Sequence, residues 1–118
     1  MGEVTQGGIT THVLDTARGR PAAGVGVRLE QWRAPAWTAV GRGRTDADGR
    51  CRDLLAPPAR LESGRYRLVF DTGAYFAEQA LSAFFPEVII DFTIEDAGLK
   101  YHVPLLLAPH GYTTYQGS

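Results

Sequence analysis

With 118 residues, 44% of them hydrophobic and 21% charged, the chain has the size and composition of one ordinary folded domain. Each half alone would bury too little apolar surface to offset its ordering entropy, so a single domain is expected. Twelve basic residues against 13 acidic ones leave a net charge of −1, without the basic excess of a protein that neutralises nucleic-acid phosphates.

Residues 1–8 are expected to form a flexible segment ahead of a domain over 9–118. Fourteen glycines and seven prolines punctuate that domain into many short elements. Strands are predicted over 9–15, 25–30, 37–44, 50–55, 65–70, 88–95, 100–107 and 112–116. Their signal is a period of two: Val25, Val27 and Leu29 alternate with small or charged residues, and Tyr66, Leu68 and Phe70 share a face. Val88, Ile90, Phe92 and Ile94 likewise oppose Asp91, Thr93 and Glu95. Turn signals separate these runs at Arg18-Gly19-Arg20-Pro21, Ala34-Pro35, Asp46-Ala47-Asp48-Gly49, Pro57-Pro58, Ser63-Gly64 and Ala97-Gly98. The segment 74–84 breaks the rhythm: Ala-Glu-Gln-Ala-Leu favours a short helix, which Pro86 ends. Eight short strands, regular turns and one small helix read as an all-β, two-sheet antiparallel sandwich.

The longest apolar run, 103–108, is too short to span a bilayer. The opening MGEVTQGG lacks a basic region followed by an apolar one. Cys51 is the single cysteine, so no intrachain disulfide forms, which suits a reducing compartment. A cytoplasmic protein without membrane or nucleic-acid partners is expected.

Few residues offer chemistry. Asp46-Ala47-Asp48-Gly49 has glycine fourth rather than sixth and is followed by Arg50, which fits a hairpin turn better than a calcium loop. No zinc or serine-nucleophile motif is present. Cys51 lies between Arg50 and Arg52, yet a lone cysteine in a strand is more often a small core residue. His12 falls opposite Ile9, Thr11 and Val13, and His102 opposite Tyr101, Val103, Leu105 and Leu107. If the larger stripes fill the core, both histidines point outward, beside Thr10 and Leu14 and beside Pro104 and Leu106. Either is ordinarily a half-exposed polar residue; together they are equally open to proton transfer near neutral pH. His110, between Pro109 and Gly111, reads as a solvated turn residue.

The letters carry more than the pattern. His12-Val13-Leu14-Asp15 with Gly19-Arg20-Pro21-Ala22 resembles the opening of the transthyretin-like (prealbumin-like) family. Thr45-Asp46-Ala47-Asp48-Gly49-Arg50 is similar to that family's central turn. Gly64-Arg65-Tyr66-Arg67-Leu68-Val69-Phe70, Tyr75-Phe76 and Phe84-Phe85-Pro86-Glu87 follow in order. Tyr101-His102-Val103-Pro104-Leu105-Leu106-Leu107 and Tyr115-Gln116-Gly117-Ser118 complete a resemblance running from about residue 9 to 118. The family holds a thyroid-hormone carrier branch and a 5-hydroxyisourate hydrolase branch on one fold, so fold alone cannot choose. The hydrolase branch has the histidine, arginine and histidine found here at His12, Arg50 and His102, and ends in Tyr-Arg-Gly-Ser. The chain therefore resembles the hydrolases, with Gln116 in place of the terminal arginine.

The resemblance implies a transthyretin-like sandwich and opening of the cyclic amide of 5-hydroxyisourate to 2-oxo-4-hydroxy-4-carboxy-5-ureidoimidazoline in purine breakdown. One imidazole would take a proton from water, Arg50 would stabilise the developing charge, and the second imidazole would orient water or protonate the leaving nitrogen. Tyr115, Gln116, Gly117 and Ser118 are expected to contact substrate, Ser118 through its hydroxyl or a terminal carboxylate. Gln116, lacking charge, is expected to weaken activity without abolishing it. No metal or cofactor is implied. Family members are homotetramers, dimers of dimers, with sites in the cleft between dimers. The rival readings are a non-catalytic carrier of a small aromatic ligand and a structural module.

Overall fold

The computed structural model describes residues 7–55 and 58–118. Residues 1–6, most of the segment expected to be flexible, and Pro57 of the Pro57-Pro58 turn lie outside the described residues. Alternation in β1 (Gly8–Asp15) sets the frame: Ile9, Thr11, Val13 and Asp15 are buried, while Thr10, His12 and Leu14 occupy the opposite, half-buried face. The other elements are β2 (Arg20–Pro21), β3 (Gly26–Arg33), β4 (Ala36–Arg44), β5 (Arg50–Cys51), β6 (Gly64–Phe70), α1 (Thr72–Ala77), β7 (Val88–Ile94), β8 (Lys100–Ala108) and β9 (Gly111–Thr114).

Two sheets face each other. One runs β2-β1-β8-β9 with β5 also paired to β1; the other runs β4-β3-β6-β7. Between them lie Val13, Val103, Leu105 and Leu107 from the first sheet and Leu29, Tyr66, Leu68, Phe70 and Ile90 from the second. The expected two-sheet sandwich is therefore present, as is the expected inward stripe of β7. His12 and His102 lie off the core face, both half-buried, and His110 is exposed in the turn between β8 and β9.

The structure departs from the reading of the sequence in particular places. There are nine strands rather than eight among the described residues, because Arg20 and Pro21 fold back onto Asp15 and Leu14 around Gly19, whose φ is +69°. One pair, β1 with β8, is parallel. A parallel pair cannot be closed by a tight turn, and nearly the whole chain separates these two strands, so no local signal announces it. The turn at Asp46-Ala47-Asp48-Gly49 feeds β5 as expected, but it is not a hairpin: β4 pairs with β3 while β5 pairs with β1. The turn thus carries the chain from one sheet to the other.

The strand expected over 50–55 stops at Cys51. Beyond it the chain drops inward to bury Leu54 fully. A Cβ on Gly41 would stand 1.4 Å from the Leu54 carbonyl oxygen, so a bare glycine on β4 makes room for that descent. The last strand stops at Thr114 instead of 116, and the tail returns to β8 through a bridge between Gly117 and His102.

The helix begins earlier and ends sooner than 74–84. Asp71 accepts from the Ala74 N–H at 3.1 Å as its cap. Ala80 adopts a φ of +57°, and the Leu81 N–H reaches back to the Phe76 carbonyl at 3.0 Å, a left-handed stop that ends the helix. The run Glu78-Gln79-Ala80-Leu81 therefore forms the exit from α1 despite its helix propensity, after the buried Tyr75 and Phe76. Cys51 is a small buried residue, 7% exposed, as its place in a strand suggested.

Helix α1 is tied to β1 by a polar contact inside the molecule. Asp15, 1% exposed, accepts the Tyr75 hydroxyl at 2.7 Å on Oδ2 and the Arg18 N–H at 3.0 Å on Oδ1. A buried acceptor stripped of its donor costs more than the bond itself contributes. Tyr75→Phe is therefore expected to destabilise the fold by about 1–3 kcal/mol, read as a lower urea midpoint at constant slope; an unchanged midpoint contradicts this account.

Candidate active site

The outer face of the β1 sheet carries the polar chemistry. His12 on β1 stands opposite Arg50 on β5, and Thr10 on β1 stands opposite His102 on β8. One strand spacing and two residues of rise place the His12 and His102 Cα atoms about 8 Å apart. Arg50, His12 and His102 therefore occupy three adjacent strands of one sheet, on one face. Arg50, His102 and Ser118 line an open cleft of about 1100 Å³ at the start of β1 and β8. His12 stands beside this cleft rather than on its wall.

Each member is held by a specific contact. The turn between the sheets is fixed by Asp46, whose Oδ1 accepts from the N–H groups of Asp48 at 2.9 Å and Arg50 at 3.0 Å. These donors, that of Arg50 foremost, hold the Asp46 carboxyl below the usual carboxylate range. The same turn grips His12, whose Nε2 lies 2.8 Å from the Asp48 carbonyl oxygen. A carbonyl only accepts, so Nε2 carries the hydrogen, and the uncharged form of this ring has its lone pair on Nδ1. Gly49, with φ +77°, closes the turn, and a Cβ there would meet the Val13 carbonyl at 2.3 Å.

His102 is held from two sides. Its Nδ1 shares a 2.8 Å hydrogen bond with Thr10 Oγ1. Gly117 packs on the opposite edge, where a Cβ would lie 2.7 Å from Cδ2, and the Gly117 N–H donates to the His102 carbonyl at 2.8 Å. Burial lowers the His102 pKa from the ordinary 6.5, and the Arg50 and His12 charges lower it further, against a contact with the Thr10 backbone that raises it. That direction favours the uncharged imidazole at pH 7. Burial pushes the Cys51 thiol the other way, upward, so it is not an activated nucleophile.

The side chains of the cleft are mainly cationic. Among the described residues, Arg50, Arg52, Arg60 and Lys100 line it with one acidic side chain, Asp53, although the chain as a whole carries −1. Such a wall suits a small polar or anionic molecule.

Of the residues singled out in the sequence, the structure brings His12, Arg50, His102 and Ser118 to this region. Gly117 supports His102 and does not line the cleft; Tyr115 and Gln116 are exposed and lie off its wall within the protomer. Sequence reasoning missed Thr10, although it shares the outward face of β1 with His12. It also missed Arg52, Arg60 and Lys100, which no spacing connects. Among the described residues no group of histidine, cysteine and carboxylate side chains has the arrangement of a metal site. No helix among them is long and apolar enough to cross a membrane.

Comparison with known proteins places the chain in a family. The mouse 5-hydroxyisourate hydrolase is 47% identical over 112 residues, covering 93% of this chain and 94% of that protein. The solved structure of the Klebsiella pneumoniae 5-hydroxyisourate hydrolase superposes with a TM-score of 0.83 at 36% identity, covering 96% of this chain and all of that one. Sea bream transthyretin in complex with thyroxine gives a TM-score of 0.85 at 32% identity, covering 92% and 93% of the two chains. A family model described as Transthyretin: HIUase/Transthyretin family matches residues 9–117. With that match spanning nearly its whole length, the chain belongs to the HIUase/Transthyretin family.

Proposed function

We propose that the chain hydrolyses the cyclic amide of 5-hydroxyisourate, a small purine-derived molecule, to 2-oxo-4-hydroxy-4-carboxy-5-ureidoimidazoline. The observation that carries this reading is the grouping of two imidazoles and a guanidinium on one sheet face beside a cationic cleft. The name borne by the mouse and Klebsiella relatives supports it. A carrier needs shape and apolar contact, whereas this face offers a neutral base next to a fixed cation.

In the proposed reaction, water lies between His102 and the amide carbonyl. As its oxygen bonds to the carbonyl carbon, its proton passes to His102. The negative charge then gathers on the carbonyl oxygen, where the Arg50 guanidinium stabilises it. Collapse breaks the carbon–nitrogen bond, and the departing nitrogen takes a proton from the imidazolium, opening the ring. His12, with its lone pair on Nδ1, accepts a hydrogen bond that orients water or substrate. Arg50 and the histidines meet the charge demands of every step.

The site is open on one side, and a second subunit is proposed to roof it within a homotetramer, a dimer of dimers. Supporting this is an exposed aromatic run at the β9 side, in which Phe85 stacks edge-on to Phe84 at 4.9 Å and to Tyr112 at 5.3 Å between centroids.

Three outcomes test these proposals. Freshly made 5-hydroxyisourate, followed by ultraviolet absorbance, should decay faster with the protein present. Saturable binding without acceleration would favour the carrier instead. In that assay His102→Ala and His12→Ala should lose about 10²–10⁴ in rate and Arg50→Ala about 10²–10³. Gln116→Arg, restoring the arginine of the hydrolase branch, should raise kcat/KM. Near-wild-type rates in any two of the three alanine variants contradict the assignment.

The pH dependence has a definite sign. Neutral His102 is the active form and its pKa is lowered from 6.5, so activity should persist below that pH and fall only as the histidine protonates. Arg50→Gln removes a cation, lets His102 protonate more readily, and should move the acid limb of kcat/KM to higher pH. Finally, size exclusion with light scattering should give four times the protomer mass; a monomer at assay concentration would defeat the shared-roof proposal.

A further inference from the structure

We propose that Thr10 is a positioning residue for the hydrolysis: it accepts a hydrogen bond from His102 Nδ1–H and thereby turns the lone pair of Nε2 toward the cleft. This inference rests on the hydrolase reading above. Three features of the structure carry it. Thr10 stands directly opposite His102 in the parallel ladder, and its Oγ1 lies 2.8 Å from Nδ1. Gly117 bars the ring from swinging toward the tail, because only a missing side chain clears Cδ2. With Nδ1 engaged on one edge and Cδ2 packed on the other, Nε2 is the ring nitrogen left to meet a reactant.

A neutral imidazole divides its roles between its nitrogens, one donating and one accepting. If Thr10 donated to Nδ1, Nε2 would carry the hydrogen and could not take a proton from water. By accepting instead, the hydroxyl leaves Nε2 basic. The bond survives proton uptake, since Nδ1–H donates equally well from the imidazolium. A hydroxyl is suited to this place because it accepts through its oxygen without adding charge beside Arg50. His12 is wired the opposite way, with Nε2–H donating to the Asp48 carbonyl. The two histidines thus present different nitrogens, Nδ1 from His12 and Nε2 from His102, through one side-chain contact and one backbone contact.

The test compares Thr10→Val, nearly the same shape without the hydroxyl, with Thr10→Ser, which keeps it. Thr10→Val should lower kcat by up to about 100-fold, the scale of a misplaced catalytic group, with KM little changed, and Thr10→Ser should recover most of the loss. Nitrogen-15 NMR of the imidazoles in the full chain supplies a readout independent of turnover. In wild type, His102 should show the hydrogen on Nδ1 and the lone pair on Nε2, and in Thr10→Val that preference should be lost. Wild-type kcat in Thr10→Val, or a His102 hydrogen residing on Nε2 in the wild-type chain, would overturn the proposal. If wild type fails to hydrolyse 5-hydroxyisourate, the hydrolase reading falls, while the tautomer measurement still decides whether Thr10 sets the His102 ring.

Discussion

Strand β1 is gripped along both edges, parallel to β8 and antiparallel to β5, and the register of those two ladders governs everything built on its outer face. The register is fixed from inside. Ile9, Val13 and the buried hydroxyl of Thr11 must face the core, and because side chains alternate, a slip of one residue would bury His12 and expose Val13. Thr11 adds a polar lock by donating to the Val103 carbonyl at 2.6 Å. The apolar packing that makes the sandwich also aligns Arg50, His12, Thr10 and His102, so assembling the site requires no separate ordering cost.

The turn after β4 has a comparable double duty. It moves the chain between sheets, which a sandwich requires of some connection, and it does so beside the polar face of β1. The Asp46 carboxylate organises the backbone of the turn; the turn in turn supplies the Asp48 carbonyl that holds His12 and delivers Arg50 to its place opposite. The Arg52 guanidinium lies 3.7 Å from the same carboxylate, an exposed pair that adds little stability. Polar groups on short strands and turns depend on such local wiring, since β5 contributes only two residues to its ladder.

Much of this was legible in the alternation of side chains. The inward stripes of β1, β6, β7 and β8 follow the alternation of side chains, and the outward placement of His12 and His102 follows from those of β1 and β8 without any tertiary knowledge. What alternation cannot express is which strands become neighbours. Thr10 and His102 meet only because β1 and β8 run parallel across the length of the domain. The cationic wall of Arg52, Arg60 and Lys100 likewise gathers from three separate stretches. The helix shows the opposite failure: the strong local preference of Glu78-Gln79-Ala80-Leu81 lost to a left-handed residue. The tail is intermediate, since Gly117 and Ser118 were recognisable as a motif while their division of labour was not.

Cys51 has a further use. It is the one sulfhydryl in the chain, it adjoins Arg50, and its burial keeps it inert while β5 stays paired with β1. The rate at which a small thiol reagent alkylates it therefore reads out how well this corner of the sandwich stays closed, beside the guanidinium of Arg50, without introducing a label anywhere else.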